Sequence, residues 1–159
     1  IRVPLIVKYP SVVQEAALCT EPVICMDFLP TLLDATGVIS EREKQMPDAA
    51  SSHLDGTSLY SLFCDPKSSL PSRPLYFHYP HYYPTTTPVS ALREGPWKLL
   101  EYFEDGQLEL YNLDTDPGET TNLARQRPEK AAALHAQLRD WRKSVNAKLP
   151  QPNPGYNEK

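Results

Sequence analysis

His78-Tyr-Pro-His81 carries two imidazoles at a spacing that can hold a metal ion when it lies on a helix. Here a proline interrupts the pair, and no carboxylate stands close by, Glu94 being the next acidic residue downstream. A structural role for these histidines weighs most, a polar edge facing a ligand next, and a metal site least. Tyr79, Tyr82 and Tyr83 make the same stretch unusually aromatic for a loop. Such edges line sites for sugars or aryl groups, and packing under the next hairpin explains them equally well. Asp114-Thr-Asp116-Pro-Gly118-Glu119 looks at first like a calcium loop. Its glycine comes too early and no acidic residue closes the loop, so a proline-glycine turn feeding a capped segment is the better account. No serine sits in a G-x-S-x-G context, which leaves a serine hydrolase triad unsupported. Cys19, Cys25 and Cys64 follow no paired spacing. They read as small buried hydrophobes, with a Cys19–Cys25 bridge left open.

The chain that must position these residues has 159 residues, enough for a real hydrophobic core, with 40% hydrophobic and 23% charged residues. Sixteen basic against twenty acidic residues give a net charge of −4, which argues against nucleic acid as a partner. No apolar run approaches the ~20 residues of a bilayer span, so no membrane partner is expected, and no signal peptide is read at the start. Seventeen prolines against six glycines imply many short elements joined by rigid connections.

Ile1 to Pro10 is a short β-branched run that reads as a buried strand. Asp27 to Gly37 reads as a helix, with Asp27 as its cap, Gly37 as its stop and Phe28, Leu29, Leu32 and Leu33 as its buried stripe. Ser40 to His53 is polar and reads as a surface loop and boundary. Beyond Arg73 the pattern changes. Leu75, Phe77 and Tyr79 alternate with Tyr76 and His78 along a strand. Val89–Arg93, Trp97–Phe103 and Gln107–Tyr111 follow as three more, divided by Glu94-Gly95 and Asp105-Gly106, so the sheet must be antiparallel. Pro128 to Leu149 is the clearest helix, its stripe being Ala131, Leu134, Leu138, Trp141 and Val145. The tail from Pro150 to Lys159 is polar and proline-rich, and fraying is expected.

Several of these segments together resemble one family. Ile1-Arg-Val-Pro-Leu-Ile-Val-Lys-Tyr-Pro10, Met26-Asp27-Phe-Leu-Pro30-Thr31 through Gly37, Leu54-Asp-Gly-Thr-Ser-Leu59, Arg73-Pro-Leu-Tyr-Phe-His78, Leu92-Arg93-Glu-Gly95-Pro-Trp-Lys98-Leu and Leu110-Tyr111-Asn-Leu-Asp114 through Asn122-Leu123 resemble the C-terminal part of type I, arylsulfatase-like sulfatases. They stand in the family's order from residue 1 to about residue 125.

The resemblance implies an α+β chain: a small four-stranded antiparallel sheet packed by a C-terminal helix. A strand and helix left over from the large α/β, alkaline-phosphatase-like sulfatase domain would precede it. The implied division is 1–65 as the remnant of the large domain, 73–149 as the C-terminal subdomain and 150–159 as tail. It further implies that the parent protein hydrolyses sulfate esters of sugars or aryl groups, using a formylglycine nucleophile and a calcium ion that both lie upstream. This chain would then hold no catalytic residue, metal or cofactor of its own and would be inactive alone. Its partners would be the upstream catalytic domain and a sulfated carbohydrate or aryl sulfate, and the parent would be exported to a periplasmic, extracellular or lysosomal compartment. His78, His81 and Tyr82 are the residues implied to contact substrate. Arg93 and Lys98 belong to the sheet motif, where ion pairs or a solvated face outweigh anion binding. Ser69-Leu-Pro-Ser-Arg73 spells the serine form of the formylglycine motif, but it precedes a strand rather than a helix and comes late in the family order. Cys64-Asp-Pro-Lys lacks the arginine altogether. The reading from another class is a free-standing module that binds an anionic glycan. Unpaired large-domain pieces at 3–7 and 27–37 would expose an apolar edge and make the isolated chain self-associate.

Overall fold

The computed structural model describes residues 3–38, 54–151, 153 and 155. The expected surface loop from Ser40 to His53 lies outside the described residues, as does most of the 152–159 tail. The chain divides into two compact units, Ile1–Pro71 and Ser72–Lys159.

In the first unit a 3-10 turn, Cys25–Asp27, leads directly into helix α1, Phe28–Ala35, and a short helix α2 spans Tyr60–Cys64. Gly37 follows α1 at φ 75°, the left-handed stop expected of it. Asp27 behaves differently from expectation. Its carboxylate makes no cap bond to α1. It accepts instead from the Ile24 N–H at 2.9 Å and the Thr57 N–H at 2.9 Å, and it is fully buried. Thr31 extends the junction: its hydroxyl donates to the Asp27 carbonyl at 2.5 Å and accepts from the Leu59 N–H at 2.8 Å. The Asp27 and Thr31 side chains therefore bind the 57–59 segment to the start of α1. Gly56 passes so close that a Cβ there would meet the Met26 carbonyl oxygen at 2.0 Å, which no side chain tolerates.

Three expectations fail in this unit. Residues 3–9 form no strand, and Val3 and Ile6 are exposed. β-Branched residues favour a strand only where a neighbouring strand supplies a ladder, and none pairs with them among the described residues. The expected stripe of α1 is likewise open, with Phe28, Leu29 and Leu32 exposed while Pro30 and Thr31 are buried. The three cysteines are free and exposed rather than buried.

The second unit is a four-stranded antiparallel sheet in the order β1 (Leu75–Tyr79), β2 (Val89–Glu94), β3 (Trp97–Tyr102) and β4 (Leu108–Asn112). Helix α3, Pro128–Ser144, packs on it. Glu94 pairs with Trp97 across a two-residue loop whose Gly95 sits at φ 54°, and Gly106 serves the next turn at φ 69°. Strand alternation sends Leu92, Leu99 and Leu110 to the α3 side, where they meet Ala131, Leu134 and Leu138. Each buried leucine contributes about 2 kcal/mol. Tyr76 of β1 stacks flat on Trp141, with centroids 4.6 Å apart, and seals one margin of the core. Val145, expected in the helix stripe, lies beyond the helix end and is exposed.

The free edge of β4 is covered by the chain that follows it. The Asn122 side chain accepts from the Leu110 N–H at 3.1 Å and donates to the Leu108 carbonyl at 3.2 Å, and the Leu123 N–H reaches the Leu110 carbonyl at 2.8 Å. One amide side chain thus substitutes for a fifth strand. Upstream of it, Asp116 accepts from the backbone N–H groups of Thr120 and Thr121, both at 2.9 Å, and those bonds hold its carboxyl below the usual carboxylate range. The 114–119 stretch is therefore a capped turn. Asp116 is occupied by backbone donors and Glu119 by Lys98, which does not suit a calcium loop.

Candidate functional site

Cross-strand register sets His78, Ser90 and Glu101 in one row across β1, β2 and β3, on the face turned to α3. The row is polar where Leu92, Leu99 and Leu110 form the centre of that face, and α3 answers it with His135 and Arg142. Arg142 Nη2 lies 2.6 Å from Glu101 Oε2, and His135 Nε2 lies 3.0 Å from Glu101 Oε1. The Arg142–Glu101 approach is an ion pair, and neither approach is an aligned hydrogen bond. The Arg142 guanidinium also sits over the Phe103 ring at 5.1 Å. Sequence reasoning missed Glu101 and His135. Strand parity was the signal that could have found Glu101, since it shares a side with Leu99 and Trp97.

His78 is committed within this cluster. Its Nε2 lies 2.8 Å from the Lys148 carbonyl, which can only accept, so Nε2 carries the proton and donates. In the neutral ring Nδ1 then accepts from the Ser90 hydroxyl at 2.7 Å. Phe103 meets the ring edge-on at 5.8 Å. With both nitrogens engaged internally, the imidazole ties β1 to β2 and to the segment after α3.

His81 and Tyr82 stand apart from it, on the loop after β1. The structure therefore divides the three residues expected to share a site. His81 is exposed and meets Tyr79 at 5.6 Å, edge to face, and Tyr83 meets Tyr79 in the same manner at 6.2 Å. Tyr83 and Thr86 exchange backbone hydrogen bonds at 3.0 and 3.1 Å, which closes the loop into a small bridge. The Tyr82 hydroxyl donates to Glu104 Oε1 at 2.7 Å, fastening this loop to the β3–β4 turn. Tyr82 is 70% and Tyr83 60% exposed, so the loop presents open aromatic surface beside a carboxylate.

The far face of the sheet is internally paired. Lys98 lies 2.5 Å from Glu119 Oε2 and is buried, so the salt bridge weighed for it at the sequence level is present. The Tyr102 and Tyr111 hydroxyls both donate to Glu109 Oε2, at 3.2 and 3.1 Å. Burial first, and then the Glu109 carboxylate, push both phenols up to about 12. Arg93 donates to the Gly95 carbonyl at 3.4 Å. Among the described residues no three histidine, cysteine, aspartate or glutamate side chains gather as a metal site. Ser69 is exposed in irregular chain that runs into β1, with no helix after it.

This architecture is found in known proteins. The chain is 32% identical to a sulfatase of Formosa agariphila, over 92% of its own length and 28% of that protein. It is 28% identical to the N-acetylglucosamine-6-O-sulfatase of Bacteroides thetaiotaomicron, over 77% of this chain and 21% of the relative. A solved protein in complex with its substrate, D-glucosamine-2-N,6-O-disulfate, shares the fold, with a TM-score of 0.62 at 23% identity over 86% of this chain and 27% of that one. The chain thus spans less than a third of the proteins it matches. The family model for the N-sulphoglucosamine sulphohydrolase C-terminal region matches residues 1–146, and the chain belongs to that family as the C-terminal region of a sulfatase.

Proposed function

We propose that the full-length protein hydrolyses sulfate esters, and that this chain completes its fold and forms one edge of its substrate cleft. The observation that carries the reading is the family match across residues 1–146, taken with what those residues do here. The motif residues Asp27, Thr31, Lys98, Glu119, Asn122 and Leu123 are all spent on joining segments. None is left as a nucleophile, and sulfate ester cleavage needs one. The formylglycine and the calcium ion of the parent are assigned upstream, and residues 1–65 are taken as the remnant of the large domain. The relatives' names favour a sulfated carbohydrate as substrate. In this chain the contacts are assigned to the loop of His81 and Tyr82, His78 serving to hold that loop's strand. The parent is an exported protein on this reading.

The test is sulfate release from aryl and amino-sugar sulfates, with calcium content, for this chain and for the protein extended upstream. Activity and bound calcium only in the longer protein are the expected results. Turnover by the 159-residue chain alone, with an aldehyde mass at Ser69, would overturn the assignment.

A further inference from the structure

The open aromatic loop and Glu104 have no part in the core, the sheet edge or the ion pairs described above. Tyr82 and Tyr83 leave more than half of their surface to solvent, and Tyr79 leaves 43%. Edge-on contacts and the Tyr83–Thr86 bridge hold the Tyr79 and Tyr83 rings, and the bond to Glu104 holds Tyr82, before any ligand arrives. Rigid, half-wet aromatic surface suits the apolar face of a sugar ring. Beside it, Glu104 is oriented by the Tyr82 hydroxyl at 2.7 Å. A carboxylate offers about four acceptor directions, and Tyr82 occupies one of them. It accepts hydrogen bonds from sugar hydroxyls. A sulfate group has no proton to give it and brings like charge.

We propose that Tyr79, Tyr82, Tyr83 and Glu104 form a saccharide subsite that accepts an unsulfated sugar face and rejects a sulfated one. The inference rests on the carbohydrate reading above and deepens it. Within a substrate of several sugars, the subsite directs the charged ester elsewhere and takes a neutral unit at the rim. Glu104 is thereby a specificity residue, since it recognises the substrate away from the bond that breaks.

The experiment follows amide and tyrosine ring resonances of this chain on titration with a neutral N-acetylglucosamine disaccharide and with the same disaccharide carrying one O-sulfate. Shifts confined to Tyr79–Tyr83 and Glu104 are expected, with the neutral sugar bound about fivefold more tightly, the effect of one like charge near 4 Å in water. Glu104→Gln should bring the two affinities together, and Tyr83→Ala should weaken both sugars while leaving the core resonances in place. Equal or tighter binding of the sulfated sugar by the unaltered chain overturns the charge selection. Absence of any shift in the loop overturns the subsite. The sulfatase reading is judged separately, by sulfate release from the longer protein, and survives either failure.

Discussion

Arg142, in the last turn of α3, reaches Glu101 of β3 at 2.6 Å, and both side chains are largely withdrawn from solvent. The pair sits at the same end of the helix as the His78 bonds to Ser90 and to the Lys148 carbonyl. Leucines join helix to sheet through the middle of the interface, and polar groups join them at this end. A leucine stripe alone permits the helix to slide. A charge pair under the last turn does not.

Removing one partner should be costly for that reason. Arg142→Ala leaves the Glu101 carboxylate buried without its cation, and the expected loss is about 3 kcal/mol in urea unfolding of the second unit. The double replacement Glu101→Leu with Arg142→Met should lose far less, because no buried charge remains. A single-variant loss below about 1 kcal/mol would mean that water reaches the carboxylate.

Asn122 makes a different prediction, local rather than global. Asn122→Ala removes the acceptor from the Leu110 amide and the donor to the Leu108 carbonyl, at a cost of about 1–2 kcal/mol. Hydrogen exchange at Leu110 should speed up more than at Leu92 or Leu99, which lie inside the sheet. Uniform acceleration across all strands would show that Asn122 does not guard the edge.

Of the nine tyrosines, burial raises Tyr60, Tyr76, Tyr102 and Tyr111, and alkaline titration should find the last two ionising latest. Tyr102 and Tyr111 are held protonated to about 12 by burial and by Glu109, against an ordinary value of 10.0. For an acid raised on folding, the stabilisation is whole below pH 10 and is lost as pH climbs from 10 toward 12. Absorbance at the phenolate band should therefore leave two late-ionising groups in the native chain. Glu109→Gln should bring them forward, and an unchanged curve for that variant would remove the carboxylate from the explanation.

The first unit exposes Val3, Ile6, Leu18, Phe28, Leu29 and Leu32. Exposed apolar side chains in this number favour association in water. Light scattering should give an average mass above that of one chain and rising with concentration, and Leu32→Glu with Ile6→Lys should lower it. A monodisperse monomer throughout would contradict the expectation.

Much of the second unit was legible from local pattern. Glycine at Gly95 and Gly106 marks positions where the backbone turns at positive φ, and hydrophobic spacing at 131, 134 and 138 reports a helix face. Those signals act over a few residues and survive in a short window of sequence. The first unit was less legible. Residues 3–9 have strand composition without a strand, and α1 has an apolar stripe without a cover. Composition states a preference, and a preference is realised only against a partner.

The chemistry divides along the same line. Residue types and motif order determined which family this chain belongs to, which turns it makes and which groups could bind a ligand at all. Only the tertiary structure decided which of them remain available. His78 is engaged by a carbonyl 70 residues away, while Tyr82 on the neighbouring loop stays open beside Glu104. No window of sequence reports such a pairing, because a hydrogen bond depends on distance and angle between groups that only folding brings together.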